Sequence, residues 1–186
     1  MGTDIWLYKE KKVDNEWVSA DSWEPSEYDG RLQLKNRNYD GRNYNLFGFL
    51  ARVRCDHSFS FQPRGIPLNM SLELEEYYKE WGDHTPSYLY LHELKDAWNF
   101  IKDKTIKISG MKKTEEIKKL KESIESDQET DWSLLYPYCG WTNAEGHEDF
   151  SVDQPAQIAL SGLKQIIDSF VGIDGDNHRI VFWFDS

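Results

Sequence analysis

Six of the seven arginines lie between residues 31 and 64, and their type and spacing suggest a site for anions. A guanidinium group forms two parallel hydrogen bonds with a phosphate or a carboxylate, so several of them together can hold one ligand. Tyr39 and Tyr44 lie in the same segment and offer rings that could stack on a base. Ion pairs with neighbouring carboxylates are the structural alternative. The six residues are Arg31, Arg37, Arg42, Arg52, Arg54 and Arg64.

The net charge of the whole chain does not reflect the positive charge of this segment. The 186 residues have a formal net charge of −11 and a pI near 4.9, which excludes a general nucleic-acid binder because such proteins need net positive charge. Segment 31–64 nevertheless has a charge of +5, so the remainder has −16. A solvated surface is the default interpretation of this acidic remainder. Mimicry of DNA against a nucleic-acid-binding partner is the alternative.

Signatures of nucleotide and catalytic sites are absent: the sequence has no Gly-x-Gly-x-x-Gly, P-loop, Gly-x-Ser-x-Gly or His-Glu-x-x-His. Cys55, Asp56 and His57 offer three ligand types in a row, but adjacent residues rarely converge on one ion. We therefore predict no metal and no cofactor. His84 and His92 are candidates for a general base, since histidine titrates near neutral pH.

The segments around these candidates predict a mixture of strands and helices. Residues 3–8 and 13–18 are typical of a β-hairpin, whereas 21–41, 83–87 and 147–149 are typical of loops. Apolar residues at helical spacing predict helices at 44–53, from 69 or 71 to 81, at 89–101, at 112–126 and from Pro155 to Gly172. Five consecutive apolar residues at 180–184 predict a strand that is covered on both faces and is therefore central.

These elements predict an α+β fold: a single domain over 1–186 in which a small, largely antiparallel sheet includes both chain termini and is covered by helices. Residues 102–132 are the best candidate for a variable helical insertion. No apolar run approaches the roughly 20 residues of a membrane span. The start of the chain lacks the pattern of a signal peptide, so we expect the protein in the cytoplasm.

Five blocks resemble, in the same order, a family of small uncharacterised bacteriophage proteins. They are MGTDI at 1–5, YDGRNYNLFGFLARVR at 39–54, PRGIP at 63–67, EWGDHTPSYL with HEL within 80–94, and RIVFWFD at 179–185. The resemblance implies an accessory protein for host takeover or defence evasion in the bacterial cytoplasm. The family's opening usually continues with histidine where this chain has Trp6, so no mechanism should rest on that histidine here.

The resemblance also implies a set of site residues, namely the polar side chains inside the matching blocks. Such side chains either contact a ligand or form a buried hydrogen-bonded network. Arg52 and Arg54 would diverge by about 200° on one helix, so only one of them could point into a given pocket. The predicted ligand-binding residues are Asp4, Arg42, Tyr44, Arg54, Arg64, His84, Ser87 and Asp185.

The leading functional prediction is a phage-type accessory protein that binds a small anionic ligand, for which a nucleotide signal is the first candidate. Arg42, Arg54 and Arg64 would hold phosphate, and Tyr44 would stack on the base. Binding without turnover is favoured because the sequence shows no nucleophile–base pair and no metal set. One alternative is an inhibitor that binds a host protein through its acidic surface. Another is a nucleotide-acting enzyme using Asp4, His84 and Asp185. A homo-oligomer is compatible with the sequence.

Overall fold

The computed structural model describes residues 2–55, 57–126, 130–135, 146–170 and 175–185. The chain forms two compact units, one of Met1–Phe100 with Leu160–Ser186 and one of Ile101–Ala159. Cys139, one of the two cysteines, lies outside the described residues. Gly172, the predicted end of the last long helix, does so too. No helix in the described ranges has the length and apolar character that crossing a membrane requires.

The first unit is built on an antiparallel sheet of four strands, β1 (Ile5–Val13), β2 (Glu16–Ser19), β5 (His84–Tyr90) and β8 (His178–Phe184). Their order in the sheet is β2-β1-β8-β5. The predicted hairpin is confirmed: Asp14 and Asn15 link β1 to β2 with φ of 50° and 69°, the left-handed pair that a tight hairpin turn needs. The predicted α+β fold, with both terminal strands in one sheet, is also confirmed.

Strand β8 is the central strand that its apolar run predicts. It lies between β1 and β5, and its residues Phe182, Trp183 and Phe184 are fully buried although they alternate between the two faces. On one face, Phe184 packs edge-on against Phe47. On the other, Trp183 stacks with Tyr8 at 4.7 Å between ring centroids. Each face of the sheet therefore has its own apolar core.

Four helices belong largely to the first unit: α1 (Tyr44–Ala51), α2 (Leu72–Trp81), α3 (Leu91–Ile101) and α6 (Ser161–Asp168). The side chain of Asn43 caps α1 by accepting hydrogen bonds from the N–H groups of Asn45 and Leu46. Helix α1 is buried from Asn45 to Ala51 and ends where Arg52 adopts a left-handed conformation, with φ of 58°.

Three predictions for the first unit need correction. The loop predicted at 21–41 contains a small antiparallel pair, β3 (Trp23–Pro25) and β4 (Leu32–Leu34). The loop predicted at 83–87 is the start of β5, and the following helix begins at Leu91, not at 89. An irregularity between His84 and Ser87 lets β5 accommodate Pro86, which has no N–H to donate to β8.

The second unit pairs β6 (Thr105–Lys113) with β7 (His147–Pro155) along their full length. Helix α4 (Thr114–Glu125) follows β6 and buries Ile117 and Leu120, and α5 (Ala156–Ala159) follows β7. The loop predicted at 147–149 and the helix start predicted at Pro155 are wrong, because both belong to β7. The helical insertion predicted at 102–132 lies within this longer unit but is helical only in part, because residues 105–113 form β6. That it varies, and that 1–186 is one domain, stay predictions.

Candidate functional site

The end of the sheet where β1 begins and β8 finishes brings Asp4 beside Asp185. One oxygen of the Asp185 carboxylate accepts from the N–H of Asp4 at 2.9 Å, and the other accepts from Nε1 of Trp6 at 3.0 Å. The N–H of Asp185 in turn donates to the carbonyl of Asp4 at 3.2 Å. Asp185 therefore holds the first residues of the chain in position against β8.

Arg42 forms a bidentate ion pair with Asp4. Its Nε and Nη2 donate to the two carboxylate oxygens at 2.7 and 2.8 Å, and the two side chains are 53% and 41% exposed. The guanidinium lies so close to Gly2 that a Cβ there would stand 2.5 Å from Nη1. The pKa of Asp4 is lowered, chiefly by the hydrogen bonds from Arg42.

Arg54, which follows α1 as Arg42 precedes it, contacts the same segment. It follows the helix in a left-handed conformation, with φ of 68°, and its Nε donates to Oγ1 of Thr3 at 2.7 Å. Its guanidinium lies 5.8 Å from the ring centroid of Tyr44, whose hydroxyl accepts from the N–H of Thr3 at 3.4 Å. Because Arg52 and Arg54 both leave the helical conformation, the predicted divergence on one helix does not apply.

A third guanidinium, that of Arg37, lies 4.2 Å from the ring centroid of Trp6. Arg37 also acts electrostatically on Asp4, to which Trp6 is linked through Asp185. The arginines and their partners thus form one group, which we name the amino-terminal cluster. It consists of Thr3, Asp4, Trp6, Arg37, Arg42, Tyr44, Arg54 and Asp185.

Arg64, which was predicted to share this site, has a different set of partners. Its two terminal nitrogens donate to the carboxylate of Glu93 at 2.9 and 2.6 Å, and its N–H donates to Oγ of Ser87 at 3.1 Å. Within the described part of the chain, no hydrogen bond, ion pair or ring contact joins Arg64 to the amino-terminal cluster. Ser87 is fully buried, a position that favours a structural role.

Glu93 holds Arg64 in place by accepting its hydrogen bonds. Burial acts to raise the pKa of its carboxyl, but the hydrogen bonds from Arg64 and from the N–H of Tyr90 outweigh burial, so the net pKa is lowered. The Arg64 guanidinium also lies 5.5 Å from the ring centroid of Tyr88. Charge and ring stacking together hold the turn at 63–65 against β5.

His84 lies across β8 from the amino-terminal cluster. Its ring stacks on Phe184 at 6.0 Å, and its Nδ1 is 2.9 Å from Oγ1 of Thr85. Thr85 has φ of 52°, an unfavourable value for a β-branched residue and one that tends to occur at functional sites. A series of ring contacts runs from His84 through Phe184 and Phe47 to Tyr44.

Cys55 and His57 also adjoin α1. The thiol of Cys55 donates to the carbonyl of Tyr44 at 2.9 Å, and its sulfur is 3.6 Å from Nε2 of His57. Across the ranges that the structure describes, no three histidine, cysteine, aspartate or glutamate side chains are placed to hold a metal ion.

Four participants lie outside the ligand-binding residues that the sequence predicts, namely Thr3, Trp6, Arg37 and Glu93. Arg37 belongs to the arginine-rich segment and tryptophan is the ring that attracts a cation best, but the contact of Arg37 with Trp6 had no signal in the sequence. Glu93 lay inside a matching block, in the first turn of a predicted helix. Thr3 gave no signal, because its role depends on an arginine 51 positions away.

No protein-family model, curated protein or solved structure matches this chain.

Proposed function

We propose that the chain binds a small phosphate-bearing ligand at the amino-terminal cluster. The observation that carries the proposal is the grouping of three guanidinium groups, those of Arg37, Arg42 and Arg54, at one end of the sheet in a protein with a net charge of −11. An anion that approaches an acidic protein is attracted only where positive charge is concentrated.

The Arg42–Asp4 ion pair supports exchange with such a ligand. Both partners are largely exposed, and solvent-exposed ion pairs are weak because water screens them. A phosphate offers the Arg42 fork the same bidentate geometry as the carboxylate and carries more charge. Asp4 is then the resident counter-ion that a phosphate displaces.

Tyr44 and Arg54 supply the rest of the site. The Tyr44 side chain is half-buried, and its hydroxyl is fixed by Thr3, so its ring is held in one orientation. A base that stacks on this ring would bring its phosphate toward Arg42 and Arg54. This makes a nucleotide the first candidate among phosphate-bearing ligands. Together with the resemblance to phage proteins, it leads us to propose an accessory protein of the bacterial cytoplasm that sequesters a nucleotide signal.

Isothermal titration against inorganic phosphate and a panel of linear and cyclic nucleotides tests the proposal. We expect at least one nucleotide to bind with a Kd of about 100 µM or tighter, the weak end of useful affinity. Arg54→Lys should weaken binding at least tenfold, since it keeps the charge but removes the fork. Asp4→Asn should strengthen binding, because it removes the competing carboxylate.

Two matched variants make the experiment decisive. Arg31→Ala removes an exposed arginine that pairs with Glu80 outside the cluster and should leave the Kd unchanged. Arg64→Ala separates the cluster from the wider site that the sequence predicts: an unchanged Kd places Arg64 outside the site. Absence of binding across the panel, or equal losses in Arg31→Ala and Arg54→Lys, would refute the proposal.

A further inference from the structure

Cys55, which follows Arg54, places its thiol against helix α1. Its Sγ donates to the carbonyl of Tyr44 at 2.9 Å and fills the space beside Gly48, where a Cβ would collide with it. The residue is half-buried. Reactive thiols lie in partly exposed environments, whereas structural ones are buried and inert. The position of Cys55 is therefore compatible with chemistry at its sulfur.

The turn after Cys55 brings an imidazole to this thiol. Nε2 of His57 lies 3.6 Å from Sγ, a contact that suits the large sulfur atom. The N–H of His57 donates to Oγ of Ser60 at 2.9 Å, and its ring stacks on that of Phe59 with 8° between the planes. The imidazole is thereby held in position. Cys55 and His57 thus have the geometry of a nucleophile and its base, which the sequence pattern did not reveal.

A third side chain at the sulfur has an unused hydrogen-bond donor. Oδ1 of Asn45 lies 3.9 Å from Sγ, so the amide group of Asn45 adjoins the thiol. Asn45 is 6% exposed, and its Nδ2 has no hydrogen-bond partner among the residues that the structure describes. Buried polar groups are nearly always hydrogen-bonded, so each exception needs an explanation. An oxygen atom added to the sulfur would be a strong acceptor for this donor, whereas a thiol is a weak one.

We propose that Cys55 is a modification site, at which a hydroperoxide oxidises the thiol to a sulfenic acid with His57 as the base. Nε2 takes the thiol proton while the sulfur attacks the terminal oxygen of the hydroperoxide. The O–O bond breaks, and the proton passes from the imidazole to the leaving oxygen, which departs in an alcohol or in water. The sulfur loses two electrons and the hydroperoxide gains them. The added oxygen then accepts a hydrogen bond from Asn45 Nδ2.

The surroundings of the sulfur favour a hydroperoxide over a larger electrophile. Oxidation to a sulfenic acid adds a single oxygen atom, for which a half-buried thiol beside a helix has room. A disulfide would instead add the whole of a second thiol compound at the same place. Nδ2 of Asn45 also matches an oxygen acceptor and has no counterpart in a second sulfur, which accepts weakly.

The base is needed at the moment of attack. The hydrogen bond from Sγ to the Tyr44 carbonyl exists only while the thiol keeps its proton, so this contact favours the neutral form. Removal of the proton by His57 therefore accompanies the reaction. The proposal goes beyond phosphate binding and does not rest on it, because it uses the main-chain carbonyl of Tyr44 and not its ring.

Oxidation with hydrogen peroxide, followed by trapping with dimedone and peptide mass spectrometry, tests the proposal. Cys139→Ser leaves Cys55 as the only cysteine and is the reference protein. We expect a dimedone adduct at Cys55, and none when Cys55→Ser is added. Dithiothreitol given before dimedone should restore the thiol, because a sulfenic acid is reversible and the higher oxidation states are not.

A histidine variant in this background tests the base. His57→Gln should slow oxidation at pH 7 about tenfold or more, a modest value for general-base catalysis. The two rates should converge as the pH rises through about 8.5, where an unassisted thiol ionises. A purely structural effect of His57 would not show this pH dependence. His147→Gln, in β7 of the second unit, is the matched control and should leave the rate unchanged.

Asn45→Leu tests the donor separately. It should shorten the lifetime of the sulfenic acid about fivefold, which corresponds to the loss of one hydrogen bond. Circular dichroism checks that each variant is folded.

Four outcomes would overturn the proposal. They are absence of a dimedone adduct at Cys55, equal rates for His57→Gln and His147→Gln at pH 7, oxidation of the folded chain no faster than that of the chain unfolded in urea, and preferential formation of a mixed disulfide when glutathione disulfide and hydrogen peroxide are both present.

Discussion

Glu10 and Arg179 form an ion pair whose side chains are 0% and 1% exposed. Arg179 Nε donates to one Glu10 oxygen at 2.7 Å, and the other oxygen accepts from the N–H of Ser71 at 2.6 Å. Arg179 also donates to the side chain and carbonyl of Asn69 at 3.1 and 2.9 Å, and its guanidinium covers the ring of Trp17 at 3.9 Å. The pair thus ties β1 and β8 to the residues that precede α2.

Removing one charge of this pair should be costly. Glu10→Gln leaves the Arg179 guanidinium buried without its counter-ion, and we expect a loss of about 3–5 kcal/mol in the free energy of unfolding. Urea denaturation followed by tryptophan fluorescence measures it. Glu75→Gln, which breaks the exposed pair with Lys79, is the control and should change little. Equal effects of the two variants would contradict a stabilising role for the buried pair.

The sequence predictions did not contain this pair. Trp6, Tyr8 and Glu10 share one face of β1, and Arg179 lies opposite Glu10 on the neighbouring strand. Glu10, however, follows the strand predicted at 3–8, and Arg179 precedes the one predicted at 180–184. The partnership of Arg64 with Glu93, and that of Arg42 with Asp4, had no signal either. Their members lie on separate elements whose relative placement depends on tertiary packing.

At the scale of elements, local patterns predicted most of the helices and the two strands that carry both termini. Leu46, Phe47 and Leu50 indicated α1, and the unbroken run before Asp185 indicated β8. Strand β5 was missed because its first residues are polar and include Pro86, which normally ends a strand. Pairing with β8 outweighs that local preference, and local patterns do not contain pairing of this kind.

We expect one buried leucine, Leu74, to contribute most of the packing that holds α2 against the sheet. Leu74 packs in the cluster formed with Tyr8, Val181 and Trp183. Leu74→Ala should therefore lower the free energy of unfolding by about 2–5 kcal/mol, the usual cost of such a cavity. Leu72→Ala, two positions away on the exposed side, should stay within about 0.5 kcal/mol of wild type. Urea denaturation of both variants measures the difference, and similar losses would show that the helix faces are assigned wrongly.

At the scale of the whole molecule, two carboxyls with perturbed pKa values link stability to pH in opposite directions. The pKa of Glu93 is lowered from its ordinary 4.5, so its ion pair stabilises the fold above that pH and is lost as the pH falls through the lowered pKa. Burial raises the pKa of Asp21 despite its hydrogen bonds from Lys9 and Asn38. Its contribution is therefore greatest below its ordinary 3.8 and is lost as the pH rises.

Glu93→Gln should isolate the first effect. At pH 7 we expect the variant to be less stable by about 1 kcal/mol, as for a partly exposed bidentate pair. The difference should shrink as the pH falls below 4.5 and through the lowered pKa of Glu93, because the wild-type carboxyl becomes protonated there. Urea unfolding at constant ionic strength across this range gives the two curves. A difference that does not depend on pH would show that shape, rather than charge, accounts for the contribution of Glu93.

The pairing of β1 with β8 also means that β1 is synthesised long before the strand it pairs with. Trp6 and Asp185, which are hydrogen-bonded in the folded chain, are 179 positions apart, and ribosomes add about 5–20 residues per second. The first strand therefore waits on the order of 10 to 40 s for its central partner. During that interval β2 can pair only with Glu10 to Val13 and leaves Ile5, Leu7 and Tyr8 uncovered, and a two-stranded hairpin alone is marginally stable in water. Each new copy thus passes through a period in which its apolar strand is unprotected and open to chaperones.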